Sequence, residues 1–231
     1  MAKTIKETLL AEGWCYTYDL EKVGEYGTPE IKPEQIDVSK FDWIGFNYAT
    51  GIKRESPGLG VHFFVPDYRF CCTYTHLNTY TRALSKFGVL CTPDFSMYTD
   101  YPKVLQLYSH YRKHVVGAYW QKNGLKVIPT ISWGQPETFE WCFDGEPVGG
   151  VVAISSNGIG KDKEVRAAFK EGFDQMMRRL VPSKILWLGE VFEECDGPVY
   201  QIPSFAAQRW RGKQGGTSVV KSFEGKVRRH K

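Results

Sequence analysis

The stretch Phe87–Tyr98, F-G-V-L-C-T-P-D-F-S-M-Y, constrains this chain more than any other. Its apolar run is too short for a helix. Pro93, which has no N–H to give, blocks continuation of a central sheet ladder. The sequence therefore predicts a short buried strand over Val89–Cys91 that delivers Asp94, Ser96 and Tyr98 just past its carboxyl end. In parallel α/β folds the loops after the strands carry polar groups to one end of the sheet, and ligands gather there.

The same order of apolar strand, polar end and helix returns along the chain. Strands are predicted at Asp42–Tyr48, closing on Asn47 and Tyr48; at Val61–Pro66, closing on Asp67, Tyr68 and Arg69; and at Leu125–Ser132, closing on Ser132 and Trp133. Two more follow at Gly150–Ser155, which opens onto Ser155, Ser156 and Asn157, and at Lys184–Gly189, which ends on Glu190. Pro129 is awkward inside its strand and marks a bulge or an unpaired position. Helical spacing is found over Leu77–Lys86, over Pro102–Asn123 as one long helix or two joined near Gly117, and over Lys161–Leu180; Pro136–Phe143 is a short helical segment. A helix capped at Thr4 is predicted over Thr4–Glu12.

Strands that alternate with helices imply a parallel sheet, and polar residues that recur at strand ends imply one shared mouth. The expectation is an α/β fold, a parallel β/α barrel resembling a TIM barrel, incomplete if only six strands form. Trp14–Tyr18 and Val199–Ile202 are the candidates for the missing two. An open doubly wound sheet is the alternative. The domain is expected to occupy residues 1–208, with a basic tail at 209–231.

The 231 residues are 42% hydrophobic and 24% charged, enough apolar matter for one ordinary globular domain. No apolar run reaches the roughly 18–20 residues that span a bilayer, and Met1–Leu10 lacks the apolar core of a secretion signal. The expectation is a cytoplasmic protein with no membrane partner. The six cysteines contain no C-x-x-C pair, so reduced thiols are expected. From Arg209 to Lys231 the chain carries +7 and the remainder −3. Arg209, Arg211, Lys213, Arg228 and Arg229, with Trp210 among them, suit a nucleic-acid backbone, where each neutralised phosphate releases counterions.

Several strings together carry a family resemblance: F-N-Y (Phe46–Tyr48), V-H-F-F-V-P-D-Y-R-F (Val61–Phe70), T-P-D-F-S-M-Y (Thr92–Tyr98), G-A-Y-W-Q (Gly117–Gln121), V-I-P-T-I-S-W (Val127–Trp133), F-D-G (Phe143–Gly145) and V-A-I-S-S-N-G (Val152–Gly158). Over roughly Phe41–Gly189 the chain resembles a domain-of-unknown-function family, DUF4417, of bacteria, phages and mobile elements. The resemblance implies a phage or mobile-element context. It implies no reaction and no catalytic residues, so function has to be read from the site.

The carboxylates at predicted strand ends are Asp67, Asp94 and Glu190. Carboxylates that converge beside the stackable rings of Tyr68, Tyr98 and Trp133 are what glycosidic-bond chemistry needs. Asp94 is the candidate nucleophile or base, and Glu190 or Asp67 its partner. Each of them taken singly reads first as a cap of the next helix or as the partner of an arginine such as Arg69. Ser155, Ser156 and Asn157 before a helix resemble a phosphate cradle, although no G-K-[ST] makes it a Walker loop. His110 and His114 share one helical face at metal-ligand pitch. Without H-E-x-x-H they read as a solvated face, so no metal and no cofactor is expected. His62, inside an apolar run, reads as a core histidine. The partner expected from this pattern is a nucleotide or nucleic acid, with N-glycosidase or transglycosylase-like activity. The alternative is a non-catalytic protein that sequesters a nucleotide signal or inhibits a host protein.

Overall fold

A computed structural model describes residues 16–202, and these form two parallel sheets joined into one strip. The first contains β3 (Asp42–Gly45), β4 (Ser56–His62), β5 (Phe87–Cys91) and β6 (Val127–Ile128), paired in that order. The second contains β7 (Val151–Ser155), β8 (Lys184–Leu188) and β9 (Val199–Ile202), also parallel and in order. Between them a parallel bridge joins Thr130 to Ala153. There the Ile131 N–H donates to the Ala153 carbonyl at 2.8 Å, and the Ala153 N–H donates to the Pro129 carbonyl at 2.8 Å. A small antiparallel pair, β1 (Lys22–Val23) with β2 (Thr28–Pro29), stands apart.

Seven parallel strands thus follow one another in chain order. A doubly wound sheet would reverse direction at a switch point, and no reversal occurs here, so that alternative is corrected. Among the described residues no pairing joins β3 to β9, so the strip is not closed into a complete barrel. Val199–Ile202 is a strand as expected. Of the expected edge strand Trp14–Tyr18, the described part, Tyr16–Tyr18, forms no strand, and Trp14 and Cys15 lie outside the described residues. The predicted Thr4–Glu12 helix and the basic tail, including Arg209, Arg211, Lys213, Arg228 and Arg229, lie outside the described residues.

The helices fall between the strands: α1 (Phe46–Ala49), α2 (Cys72–Thr75), α3 (Leu77–Leu84), α4 (Lys103–Lys122) and α5 (Lys163–Leu180). Alternate residues of β7 and β8 serve two hydrophobic clusters. Val151, Ala153 and Leu186 pack with the cluster of β3–β6; Val152, Ile154, Ile185 and Trp187 pack beneath α5. A strand buried on both faces in this way reads as a continuous apolar run. Asp162 caps α5, its carboxylate accepting from the Glu164 and Val165 N–H groups at 2.9 and 3.1 Å.

Three boundaries differ from expectation, each for a visible reason. β3 stops at Gly45 and the chain turns into α1, so Asn47 and Tyr48 are helical. β4 begins at Ser56, ahead of the expected start at Val61 and on residues with little apolar signal, and it ends at His62, short of Pro66. At its start the backbones come so close that a Cβ on Gly88 of β5 would lie 2.0 Å from the Pro57 carbonyl oxygen. The strand is specified there by close approach and not by side-chain pattern. Pro129 ends the pairing of β6 with β5 after two residues, and the chain crosses to pair with β7 instead. α4 runs unbroken through Gly117.

Candidate functional site

The strand ends enclose a cavity of about 210 Å³, lined among others by Asp94, Ser132, Trp133, Ser155 and Phe169. Pro93 has sent the chain away from the sheet just before Asp94. The crossing after Pro129 brings Ser132 and Trp133 to the same place. Trp133 leans on Phe169 of α5, ring centroids 5.1 Å apart, and presses so close to α5 that a Cβ on Gly172 would lie 2.1 Å from its indole nitrogen. The strand ends beneath are stitched together: the Thr130 N–H donates to Thr92 Oγ1 at 2.8 Å, and the Thr130 hydroxyl donates to the Thr92 carbonyl at 2.9 Å.

Asp94 makes no hydrogen bond or ion pair among the described residues, and it lines the cavity. Burial pushes its pKa up to about 7; the ammonium of Lys113 pulls the other way, and the neighbouring Asp67 adds to the rise. A carboxyl that is half ionised at neutral pH can both give and take a proton.

The other expected residues divide. Asp67 caps the loop after β5, accepting from the Ser96 N–H at 3.0 Å and the Ser96 hydroxyl at 2.7 Å, so Asp67 and Ser96 shape the turn that holds Asp94. Glu190 stands outside the cavity lining, two-thirds exposed and paired with Arg166 at 3.0 Å. Tyr68 and Tyr98 are exposed; Tyr68 carries the Arg69 guanidinium over its ring, and Tyr98 meets Tyr101 edge-on. Ser155 lines the cavity and its hydroxyl accepts from the Asn157 N–H at 3.1 Å. Ser156 is buried, donating to the Glu190 carbonyl at 2.7 Å and accepting from Trp187 Nε1 at 3.1 Å. That second role makes Ser156 a lock between strands, and the predicted phosphate cradle is reduced to Ser155 and the exposed Asn157. Asn47 lies in α1, outside the cavity lining, and its Oδ1 and the His62 ring both stand close to Gly45. Asn47 Oδ1 and His62 Nδ1 are buried without a hydrogen-bond partner, and burial pushes the imidazole pKa down to about 4.

A second constellation was missed. His110 and His114 are both buried, which corrects the expectation of a solvated face. In the first half of α4 the apolar residues Val104, Leu105 and Tyr108 are exposed, whereas Gln106, Ser109, His110, Lys113 and His114 face inward. Apolar spacing therefore points to the wrong face of this half, because the buried side carries a polar network. His110 Nε2 lies 3.0 Å from the Asp144 carbonyl, His114 Nδ1 2.8 Å from the Pro29 carbonyl, and His114 Nε2 3.0 Å from Glu146 Oε1. Lys113 donates to Glu146 Oε1 and, at 3.0 Å, to the Thr130 carbonyl. Burial alone would raise the Glu146 carboxyl, but Lys113 and His114 outweigh it and hold it below the ordinary range. Burial lowers both imidazoles. The signal available in the sequence was the stripe His110, Lys113, His114 at three- and four-residue steps. Through Lys113 this network reaches the charge on Asp94.

The five described cysteines, Cys71, Cys72, Cys91, Cys142 and Cys195, are free thiols, as expected. No helix among the described residues is long and apolar enough to cross a membrane.

Relatives of the chain are phage proteins. It is 41% identical over 139 residues to the Gene 1 protein of Mycobacterium phage L5, a stretch that covers 60% of each chain. It is 39% identical over 139 residues to the Gene 1 protein of Mycobacterium phage D29, covering 60% of this chain and 51% of that one. The match thus spans between about half and three-fifths of these relatives. No solved structure matches. A family model described as "Domain of unknown function (DUF4417)" matches residues 20–206, and the chain belongs to that family.

Proposed function

We propose that the cavity at the strand ends binds one flat ring of a nucleotide or sugar, with Asp94 as the acid or base that acts on it. The observation that carries the reading is a carboxyl without a hydrogen-bond partner among the described residues, lining a cavity walled by Trp133 and Phe169, where burial pushes its pKa up to about 7. Stacking rings, one titrating group and the hydroxyls of Ser132 and Ser155 are the mixture that orients a small aromatic or sugar ligand. At about 210 Å³ the cavity is smaller than the roughly 300–1,000 Å³ of drug-sized sites, which limits it to one ring. The sequential parallel strands support a barrel-like framework for this mouth. The basic residues Arg209, Arg211, Lys213, Arg228 and Arg229 extend the reading to a nucleic-acid strand whose backbone the tail holds. The phage relatives support a phage or mobile-element setting, within the cytoplasm of an infected cell.

A second reading is favoured by the placement of the other carboxylates. Hydrolysis of a glycosidic bond by two carboxylates needs both at the scissile bond. Glu190 is turned to Arg166 and Asp67 is held by Ser96, so Asp94 lines the cavity without them. A protein that sequesters a nucleotide signal, or one that inhibits a host protein, needs no such pair.

The test is mass spectrometry of small molecules and nucleic acid that copurify with the full chain, followed by titration with nucleosides and free sugars monitored by ligand-observed NMR. Wild type and Asp94→Asn both bind under the proposal, and wild type alone releases an altered species if Asp94 performs chemistry. Binding without turnover in either protein selects sequestration. No nucleoside or sugar bound by wild type refutes the ring site.

A further inference from the structure

We infer that His110, His114 and Glu146 form a buried site for one d-block divalent cation, zinc or a metal of similar preference. The inference is independent of the ring-binding cavity.

The tautomers carry the case. Carbonyl oxygens only accept, so the nitrogens that face Asp144 O and Pro29 O are the N–H donors: Nε2 of His110 at 3.0 Å and Nδ1 of His114 at 2.8 Å. His110 Nδ1 is buried without a partner, and so is Glu146 Oε2. His114 Nε2 lies 3.0 Å from Glu146 Oε1, a contact that holds either a proton or, once that proton is released, a metal ion. Two unpartnered lone-pair donors in a region closed to water are an unfavourable arrangement unless a cation sits beside them. A metal-bound imidazole typically donates its far N–H to a carbonyl or carboxylate, which fixes the ring and its tautomer. Both histidines already have that support, each from a backbone carbonyl.

The spacing fits. One ligand atom from each residue can be chosen so that all lie within 4.8 Å of one another. Three ligands bonded at about 2.0–2.2 Å to one zinc ion are roughly 3.3–3.8 Å apart. A contraction of about an ångström closes the widest pair that the 4.8 Å bound allows. The fold brings the ligands together deliberately. His110 and His114 are one turn apart on α4, with ring centroids 4.3 Å from each other. Gly145, with φ +76°, lets the loop carrying Glu146 come against His114; a Cβ there would lie 2.9 Å from His114 Nδ1 and 2.8 Å from Pro29 O. Two imidazoles and one carboxylate select zinc or cobalt over magnesium or calcium.

Lys113 is the competing cation. Its ammonium holds Glu146 Oε1 and the Thr130 carbonyl but bonds neither histidine, so the lone pairs of the rings are left to the metal. Removing that ammonium takes away a positive charge beside the ion.

The experiment uses the full chain, stripped of metal under denaturant and refolded with cobalt(II), because the ligands are closed to solvent. The expected result is one ion per chain by elemental analysis, visible d–d absorption of a low-symmetry site, displacement by zinc, and a raised melting temperature. His110→Phe, which keeps a ring against Trp141, is expected to lower cobalt affinity at least tenfold. Lys113→Met is expected to tighten it. Refolded wild type with no cobalt band and no bound ion overturns the inference. So does undiminished cobalt binding by a folded His110→Phe protein, which would put the ion elsewhere. If His110→Phe fails to fold, the wild-type spectrum and the Lys113→Met affinity decide: a metal affinity that falls on loss of the ammonium also overturns it.

Discussion

Asp94→Asn removes the carboxyl that lines the cavity without a hydrogen-bond partner among the described residues, and its effect on stability follows from where that carboxyl titrates. In an unfolded chain an aspartate ionises near the ordinary 3.8, whereas in the fold burial carries Asp94 to about 7. Between those two values the native protein holds a proton that the unfolded chain has lost. Wild type must therefore lose stability as pH rises through that window. The separation is about three pKa units at about 1.4 kcal/mol each, which sets a ceiling of roughly 4 kcal/mol. Because the carboxyl opens on a cavity that water can enter, about half of that, roughly 2 kcal/mol, is the expected size. Asparagine has nearly the same shape and no charge, so its stability does not respond in this window. In urea unfolding followed by tryptophan fluorescence, the difference between variant and wild type is expected to grow by about 2 kcal/mol from pH 4.5 to pH 8, in favour of the variant. Taking the difference cancels every other titrating group. Curves that stay parallel within about 0.5 kcal/mol would refute the assignment of a raised pKa to Asp94, and with it the acid or base role.

Gly172→Ala is expected to push Trp133 off α5, costing about 1–3 kcal/mol and weakening ring-ligand binding at least tenfold, read by denaturation and NMR titration; unchanged binding would remove Trp133 from the wall. Val181, which ends α5 at φ +44° and is well exposed, holds a left-handed conformation that costs a β-branched residue about 1 kcal/mol or more; Val181→Gly should raise the melting temperature by a few degrees, and a fall would show that its packing outweighs the strain. Glu190→Gln should leave ligand binding and any turnover within twofold of wild type, because its carboxylate faces Arg166 and solvent; a large loss in steady-state assays would return Glu190 to the site. Asp162→Ala should destabilise the protein by about 1 kcal/mol through loss of the α5 cap, measured by urea unfolding.

Strand and helix alternation, the stop at Pro93, the long helix behind Pro102 and the end of α5 at Leu180 were legible in the sequence. Each depends on residues near one another in the chain, where apolar period, proline and capping chemistry act locally. Asp94, Ser132, Trp133 and Ser155 were legible for the same reason: polar residues that follow a short apolar run lie at strand ends. The start of β4 was not, because Ser56–Gly60 gains its place from backbone approach and hydrogen bonds to β5, which leave no apolar pattern.

What the sequence alone determined is therefore the succession of elements and the end of the sheet at which Asp94, Ser132 and Ser155 gather, since both follow from local rules. Tertiary structure alone decided which carboxylate lines the cavity and which is turned to Arg166 or Ser96, since that depends on partners 24 to 29 residues away. It decided too that the inward face of α4 is polar. His110, Lys113 and His114 face inward because Glu146, Pro29, Thr130 and Asp144 arrive from distant segments to meet them, and no period within the helix records those arrivals.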